Sequence, residues 1–235
     1  MNALLVRVGA DQSPGGGSWN GPVDGQSGDF AYVPIPETSP VYSGMEEPYS
    51  ALTSVLKRFH VELPEYLRLR HMHLDPDFAH LTYGDQGERA KQLGKLQAKD
   101  TIVFYAGLAD VRSAAELVYA IIGLFVVQDF VLAADIPVPD RDINAHSRRV
   151  LAPGAQDLVV RGRQGVSGRL KRCLPIGEYR DRAYRVRRDL LEEWGRLSVR
   201  DGYLQRSARL PLFLDPPRFL RWMEGQRPVL VQANN

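Results

Sequence analysis

The sequence predicts an α+β fold, and three observations lead there. The centre of the chain, from Thr101 to Ala133, is dominated by β-branched and aromatic residues, which favour strands. The last third places apolar residues at helical spacing. Strands and helices do not alternate in the regular order that a doubly wound parallel sheet needs. The expectation is a mixed, largely antiparallel sheet with flanking helices.

Residues 3–8 are apolar and run into a glycine-rich loop, which predicts a buried strand. Phe30 to Ile35 predicts a second short strand, stopped by Pro34 and Pro36; residues 38–48 predict an irregular loop. Ser50 to Phe59 has helical spacing in Leu52, Val55, Leu56 and Phe59, and Gly87 to Leu96 has it in Ala90, Leu93 and Leu96. A polar turn at Lys99-Asp100 leads into an apolar strand, Thr101 to Ala106. Leu117 to Ala133 predicts one long strand bent at Gly123, or two joined there, antiparallel to its predecessor across a loop from Asp110 to Glu116. Asp157 to Arg161 is a further strand. Tyr184 to Trp194 predicts a helix with Val186, Leu190, Leu191 and Trp194 on one face. Asp215 predicts the N-cap of a last helix: prolines sit in its first turn, Phe219, Leu220 and Met223 pack, and Gly225 stops it.

Composition narrows the function classes. The single cysteine, Cys173, excludes an internal disulfide framework and predicts a reducing, cytoplasmic setting. No basic segment followed by a long apolar stretch opens the chain, so no signal peptide is expected. Leu117 to Ala134 is interrupted by Gln128 and Asp129, so no membrane partner is expected either. Charge is divided unevenly. Residues 1–140 carry 10 Lys+Arg against 18 Asp+Glu, a net of −8; residues 141–235 carry 20 against 10, a net of +10. The basic half is almost all arginine, which suits bidentate phosphate contacts and predicts DNA or a nucleotide as partner, with affinity that falls with salt. The alternative is that the two halves pack together and neutralise each other.

Several stretches bear candidate chemistry. "VGADQSPGGGSWNGPV" (8–23) is neither a P-loop nor a dinucleotide fingerprint, but its glycines allow close backbone approach. Trp19 is then a stacking surface, and Asp11 and Asn20 polar readers; otherwise Trp19 folds into the core. "HMHLDPDFAH" (71–80) holds His71, His73 and His80 with Asp75 and Asp77. An H-x-H pair on a strand points both rings to one face, yet the spacing matches no defined metal motif, so no metal site is expected. Tyr83-Gly84-Asp85 places an acid beside a tyrosine, for proton transfer or as a helix cap. "INAHSRR" (143–149) gathers Asn144, His146, Arg148 and Arg149, a set suited to phosphate and to positioning a base. "RDGYLQRSARLP" (200–211) predicts a strand presenting Arg206 and the Ser207 hydroxyl. Cys173 lies beside Arg172 and reads as a buried small hydrophobe or a reactive thiol.

Taken together, "LLVRVGADQSPGGGSWNGPV", "FAYVPIPE", "DPDFAHLTYGD", "IVFYAGL", "NAHSRR" and "DGYLQRSAR" resemble the third of the nucleotide-modification-associated domain families, from residue 4 to about residue 222. The resemblance implies a single α+β domain across residues 1–235, linked to systems that make or handle modified DNA bases. It names no cofactor. It directs interest to Asp11, Trp19, Asn20, Glu37, Asp75, Tyr83, Asp85, Tyr105, His146, Arg148, Arg206 and Ser207. A looser similarity, over residues 80–175, is to PUA-like barrels, some of which hold a modified base in an aromatic cage; it implies a barrel as the alternative form of the sheet.

Two functions follow as expectations. One is an enzyme acting on a nucleotide or a base in DNA, with Asp11, Asp85 and His146 as acid–base groups. Its nucleotide contacts are Trp19, Asn20, Tyr83, Tyr105, Asn144, Arg148, Arg149, Arg206 and Ser207. The other is a non-catalytic reader that stacks an extruded base on Trp19 or Tyr105. A scaffold among the partner proteins of a modification system is a third.

Overall fold

The computed structural model describes residues 1–11, 19–113, 117–204 and 209–235. The strands, in chain order, are β1 (Ala3–Arg7), β2 (Pro22–Val23), β3 (Ile35–Pro36), β4 (Met72–His73), β5 (Thr82–Asp85), β6 (Thr101–Asp110), β7 (Leu117–Leu132), β8 (Leu158–Gly162), β9 (Gly168–Pro175), β10 (Gly177–Arg180), β11 (Ala183–Val186) and β12 (Leu230–Val231). The α-helices are α1 (Thr53–Lys57), α2 (Gly87–Leu93), α3 (Ala145–Arg148), α4 (Arg188–Glu193) and α5 (Pro216–Gly225). The main sheet runs β1-β6-β7-β8-β5, with β2 also beside β6, β9 beside β7 and β12 beside β9. β1 and β2 lie parallel to β6; the other pairings are antiparallel. The sheet is mixed, largely antiparallel and open: among the described residues its end strands, β1 and β5, do not pair.

The continuous apolar runs of β6 and β7 have a physical reason: both sheet faces are covered. Ile102, Phe104 and Ala106 join one buried cluster with Phe78, Tyr83 and Leu93. Val103 and Tyr105 join a second with Trp194, Phe213 and Phe219. Strict alternation along β7 would break this division, and two irregularities correct it. Against β6 the register passes from Phe104↔Gly123 to Tyr105↔Ile121, leaving Ile122 as an extra residue. Leu124 is thereby turned to the second cluster and Phe125 to the first. Against β8 a second shift, between Val127 and Asp129, leaves Gln128 exposed.

Gly123 sits at the first of these shifts. A Cβ there would lie 2.4 Å from Phe78 Cε1 and 2.8 Å from the Gly168 carbonyl oxygen. The bend expected at Gly123 is thus a close approach of a ring and a neighbouring strand. At the start of the sheet, the buried Asp100 carboxylate accepts from Asn2 N at 2.6 Å, Asn2 Nδ2 at 3.0 Å and Gln97 N at 2.9 Å, holding β1 to β6. The last helix follows its sequence signal: Asp215 accepts from Arg218 N at 3.1 Å, and Phe219 packs on Trp194 and Phe213.

Other expectations are corrected. Phe30–Ile35 is no regular strand. Pro34 has no N–H, Tyr32 exchanges both backbone bonds with the Asn235 side chain, and only a bridge from Val23 to Phe30 and the two residues of β3 remain. Tyr184–Trp194 divides into β11 and α4, because a tight turn at Asp181 and Arg182, both at positive φ, folds β10 back on β11. Tyr49–Leu52 is a 3-10 turn leading into α1, and Arg200–Gly202 is a tight turn with Asp201 and Gly202 at positive φ. Cys173 is buried on β9, where burial pushes its thiol up to about 12; it is a small hydrophobe there. Among the described residues no helix is long and apolar enough to cross a membrane.

The close approach at Gly123 gives a first prediction. Gly123→Ala is expected to cost about 1–3 kcal/mol through overpacking. Gly225→Ala, where an added Cβ meets nothing within 4 Å, is expected to be neutral or slightly stabilising. Urea unfolding midpoints at unchanged m-value check the pair, and equal midpoints would remove the crowding argument.

Candidate functional site

Although β1 and β5 are the two ends of the sheet path, they line one cleft of ≈ 350 Å³. The sheet curls until Arg7, at the end of β1, and Tyr83, Gly84 and Asp85, on β5, face the same space. His73 from β4, Asp75, Arg89 from α2, His146 from α3 and Arg149 complete the wall with Ile35 and Thr38. A larger hollow of ≈ 700 Å³, beside Asn2, Gln92 and Leu212, contains no comparable group of histidines and carboxylates.

Asn144 assembles the cleft floor. It is the N-cap of α3, and its Oδ1 accepts from His146 N at 2.9 Å. Its Nδ2 donates to Asp75 Oδ1 at 2.9 Å and to Thr82 Oγ1 at 3.2 Å. Gly84 N donates to the same Asp75 Oδ1 at 2.8 Å. One side chain therefore fixes both a carboxylate and a histidine. Gly84 makes room for them, since a Cβ there would meet His146 Cδ2 at 2.4 Å and Asn144 Oδ1 at 2.7 Å.

Each histidine is oriented by its own carboxylate. His146 Nδ1 meets Asp157 Oδ2 at 2.6 Å, and His73 Nδ1 meets Glu37 Oε2 at 2.7 Å. Contacts this short need a proton on the nitrogen, so each Nδ1 donates, and in the neutral form of each ring Nε2 carries the lone pair. The nearby Arg149 Nη2, 3.1 Å from His73 Nδ1, accordingly bonds to Glu37 Oε1 at 2.8 Å. The two rings meet edge to face, centroids 4.9 Å apart, and His146 Nε2 lies 3.9 Å from Asp75 Oδ2.

Electrostatics separate these carboxylates. Burial pushes Asp75 up to about 7, against the His146 ring and the bonds from Gly84 N and Asn144. Burial also acts on Glu37, but the hydrogen bonds from His73 and Arg149 outweigh it and hold its carboxyl well below the usual range. The hydrogen bond from His146 lowers Asp157. Burial brings His73 down to about 4, so its ring is neutral at pH 7. At the rim, the Tyr83 hydroxyl donates to Asp85 Oδ2 at 2.9 Å, and Arg89 approaches the same oxygen at 3.6 Å. Arg7 is buried, paired with Asp11 at 2.9 Å and donating to the Tyr119 hydroxyl at 2.8 Å; its Nε and Nη1 have no partner among the described residues.

Of the residues singled out from sequence, His146, Tyr83, Asp85, Arg149 and Asp75 line the cleft. Asp11 stands behind Arg7, Asn144 behind Asp75, and Glu37 behind His73. Arg148 is buried, donating to Asp77 Oδ2 at 2.9 Å and to the Asp142 carbonyl, with Glu47 at 3.3 Å. Trp19 packs against the core cluster of Tyr49, Leu52 and Leu56. Asn20 Nδ2 donates to the Gly107 carbonyl at 2.9 Å, and the Tyr105 hydroxyl to the Leu204 carbonyl at 2.6 Å in the second core. None of these three lines the cleft. Arg206, Ser207 and residues 12–18 of the glycine-rich loop lie outside the described residues. The expected H-x-H pair separates: His71 is exposed while His73 is buried against His146. Sequence reasoning passed over Arg7, Arg89, His73 and Asp157 as site residues. Only His73 carried a signal, and its partner ring comes from 73 residues further along the chain.

Comparison with known proteins adds one match. Residues 2–211 match the family model described as nucleotide modification associated domain 3. No curated protein and no solved structure matches the chain.

Two predictions test the frame of the site. Gly84→Ala is expected to displace the His146 ring and to cost about 1–3 kcal/mol by overpacking. Histidine side-chain NMR reads the displacement, and an unmoved His146 resonance would contradict it. Arg148→Ala removes one partner of buried Asp77, which keeps His80 and Asn234, and is expected to cost about 1–3 kcal/mol. Arg163→Ala, at an exposed position just after β8, is expected to stay within about 0.5 kcal/mol. Denaturant titration of both variants decides whether Arg148 is structural.

Proposed function

The chain belongs to the nucleotide modification associated domain 3 family, and on that premise we propose that it binds a nucleotide, free or as a unit of DNA, in the cleft between β1 and β5 and acts on it there. The observation that supports this reading is the lining itself. The guanidinium groups of Arg7, Arg89 and Arg149 line the same cleft as the buried His73 and His146 and the half-buried Asp75. Arginine pairs with phosphate through two parallel N–H donors. Arg7 has donors to spare, and a buried guanidinium with unused N–H groups favours an anion beside it.

Action on the nucleotide, rather than capture alone, is favoured by the same lining. A reader that stacks a base needs an accessible aromatic face. Among the described residues no tryptophan or phenylalanine lines the cleft, and the Tyr83 ring is buried against Phe104. In place of a stacking platform the floor offers two imidazoles held by carboxylates and a third carboxylate between them, groups suited to proton transfer or to holding a metal.

Calorimetric titration with deoxynucleoside monophosphates, the matching nucleosides and short single-stranded oligodeoxynucleotides tests the reading. Monophosphates are expected to bind more tightly than nucleosides, with affinity falling as salt is raised. Arg89→Ala is expected to weaken binding about tenfold, or about 1.4 kcal/mol, while thermal unfolding stays close to that of the parent. Absence of affinity for every member of the panel, or equal affinity in the Arg89 variant, would sink it.

A further inference from the structure

We propose that His73, Asp75 and His146 form a binding site for one divalent transition-metal ion on the floor of the cleft. The inference rests on the nucleotide-site reading only for its location; its own support is the donor set. One ligand atom from each of the three side chains lies within 4.8 Å of the others, and all three side chains line the same cleft.

Three features distinguish this group from a chance cluster. First, the tautomers are fixed. Glu37 and Asp157 each accept a hydrogen bond from Nδ1–H of one ring, which in the neutral rings leaves Nε2 as the lone-pair donor. A histidine whose outer nitrogen is held by a carboxylate is the usual arrangement around a bound metal, since it orients the ring and raises its basicity. Here it occurs twice, on two rings in contact. Second, Asp75 is half used. Its Oδ1 accepts from Gly84 N and Asn144 Nδ2, while its Oδ2 faces His146 Nε2 at 3.9 Å, beyond hydrogen-bonding distance. A cation between them would satisfy both atoms. Third, the ligand set is incomplete. Two imidazoles and one carboxylate leave coordination positions open toward the cleft, as a site that admits water or substrate requires.

Imidazole donors select a first-row transition ion over magnesium or calcium, which prefer all-oxygen ligands. Bonds of about 2.0–2.2 Å place neighbouring ligand atoms about 3 Å apart, so binding draws the side chains together by about 1 Å each. The sequence placed His73 and Asp75 in one candidate cluster whose spacing matches no defined metal motif; the third ligand, His146, comes from a remote segment.

The test uses the full chain without a histidine tag, stripped with chelator and titrated with cobalt(II) while visible absorption and heat are recorded. The expected result is one ion per chain, lost in His73→Ala and His146→Ala, and weakened about ten- to hundredfold in Glu37→Gln, which alters the group that orients His73 and pairs with Arg149. Should any variant fail to fold, manganese(II) broadening in the parent protein replaces it: His73 and His146 side-chain resonances are expected to broaden first. No stoichiometric ion in the parent, binding unchanged by the variants, or broadening centred on His60, His71 or His80 overturns the site. Repeating the monophosphate titration in excess chelator keeps the two readings apart. Nucleotide affinity that persists without any metal binding strikes the metal alone, whereas metal binding without nucleotide affinity strikes the nucleotide reading alone.

Discussion

The molecule depends on one strand that has to satisfy three neighbours. β7 pairs with β6 and β9 along its first half and with β8 along its second, and it contributes to the cores on both faces of the sheet. A regular strand of 16 residues would keep one parity throughout and send half of its apolar side chains to the wrong layer. The extra residues at Ile122 and Gln128 reset that parity and add local twist. The sheet curls as a consequence, and β1 and β5, far apart in strand order, come to share the cleft.

The cleft inherits its order from groups that never face a ligand. Asn144 is fully buried, yet it holds Asp75 and caps the turn that bears His146. Gly84 leaves the space these two occupy, and Glu37 and Asp157 set the tautomers of the rings. Loss of a positioning group of this kind shifts the reactive atoms without removing them, a loss that matters because productive geometry tolerates little displacement.

Several ion pairs join the two halves of the chain. Arg148 pairs with Asp77 and Glu47, Arg149 with Glu37, Arg161 with Asp129 and Arg172 with Asp29, in each case a basic residue of the second half against an acid of the first. These four residues are a small share of the 20 Lys+Arg in residues 141–235, so packing against the first half accounts for only part of that charge. The arginines that line the cleft include Arg7 and Arg89, both from the acidic half, so net charge by segment pointed away from them.

The sequence by itself determined the α+β class, the β6–β7 pairing, the capped last helix and the core role of the central apolar runs. Those features are local: they follow from side-chain period, turn residues and caps within a few positions of one another. It also marked His146, Asp75, Tyr83, Asp85 and Arg149, which all reach the cleft, through motifs whose residues are close along the chain. What only the tertiary structure decided is which of them meet. Trp19, Asn20 and Tyr105 were equally attractive in sequence, yet burial against other core layers takes them away from the cleft. His73 and His146 had no visible relation, and Asp157 had no signal at all. Their meeting depends on the curl of the sheet and on hydrogen bonds between segments remote in sequence, and neither residue spacing nor composition encodes a contact of that kind.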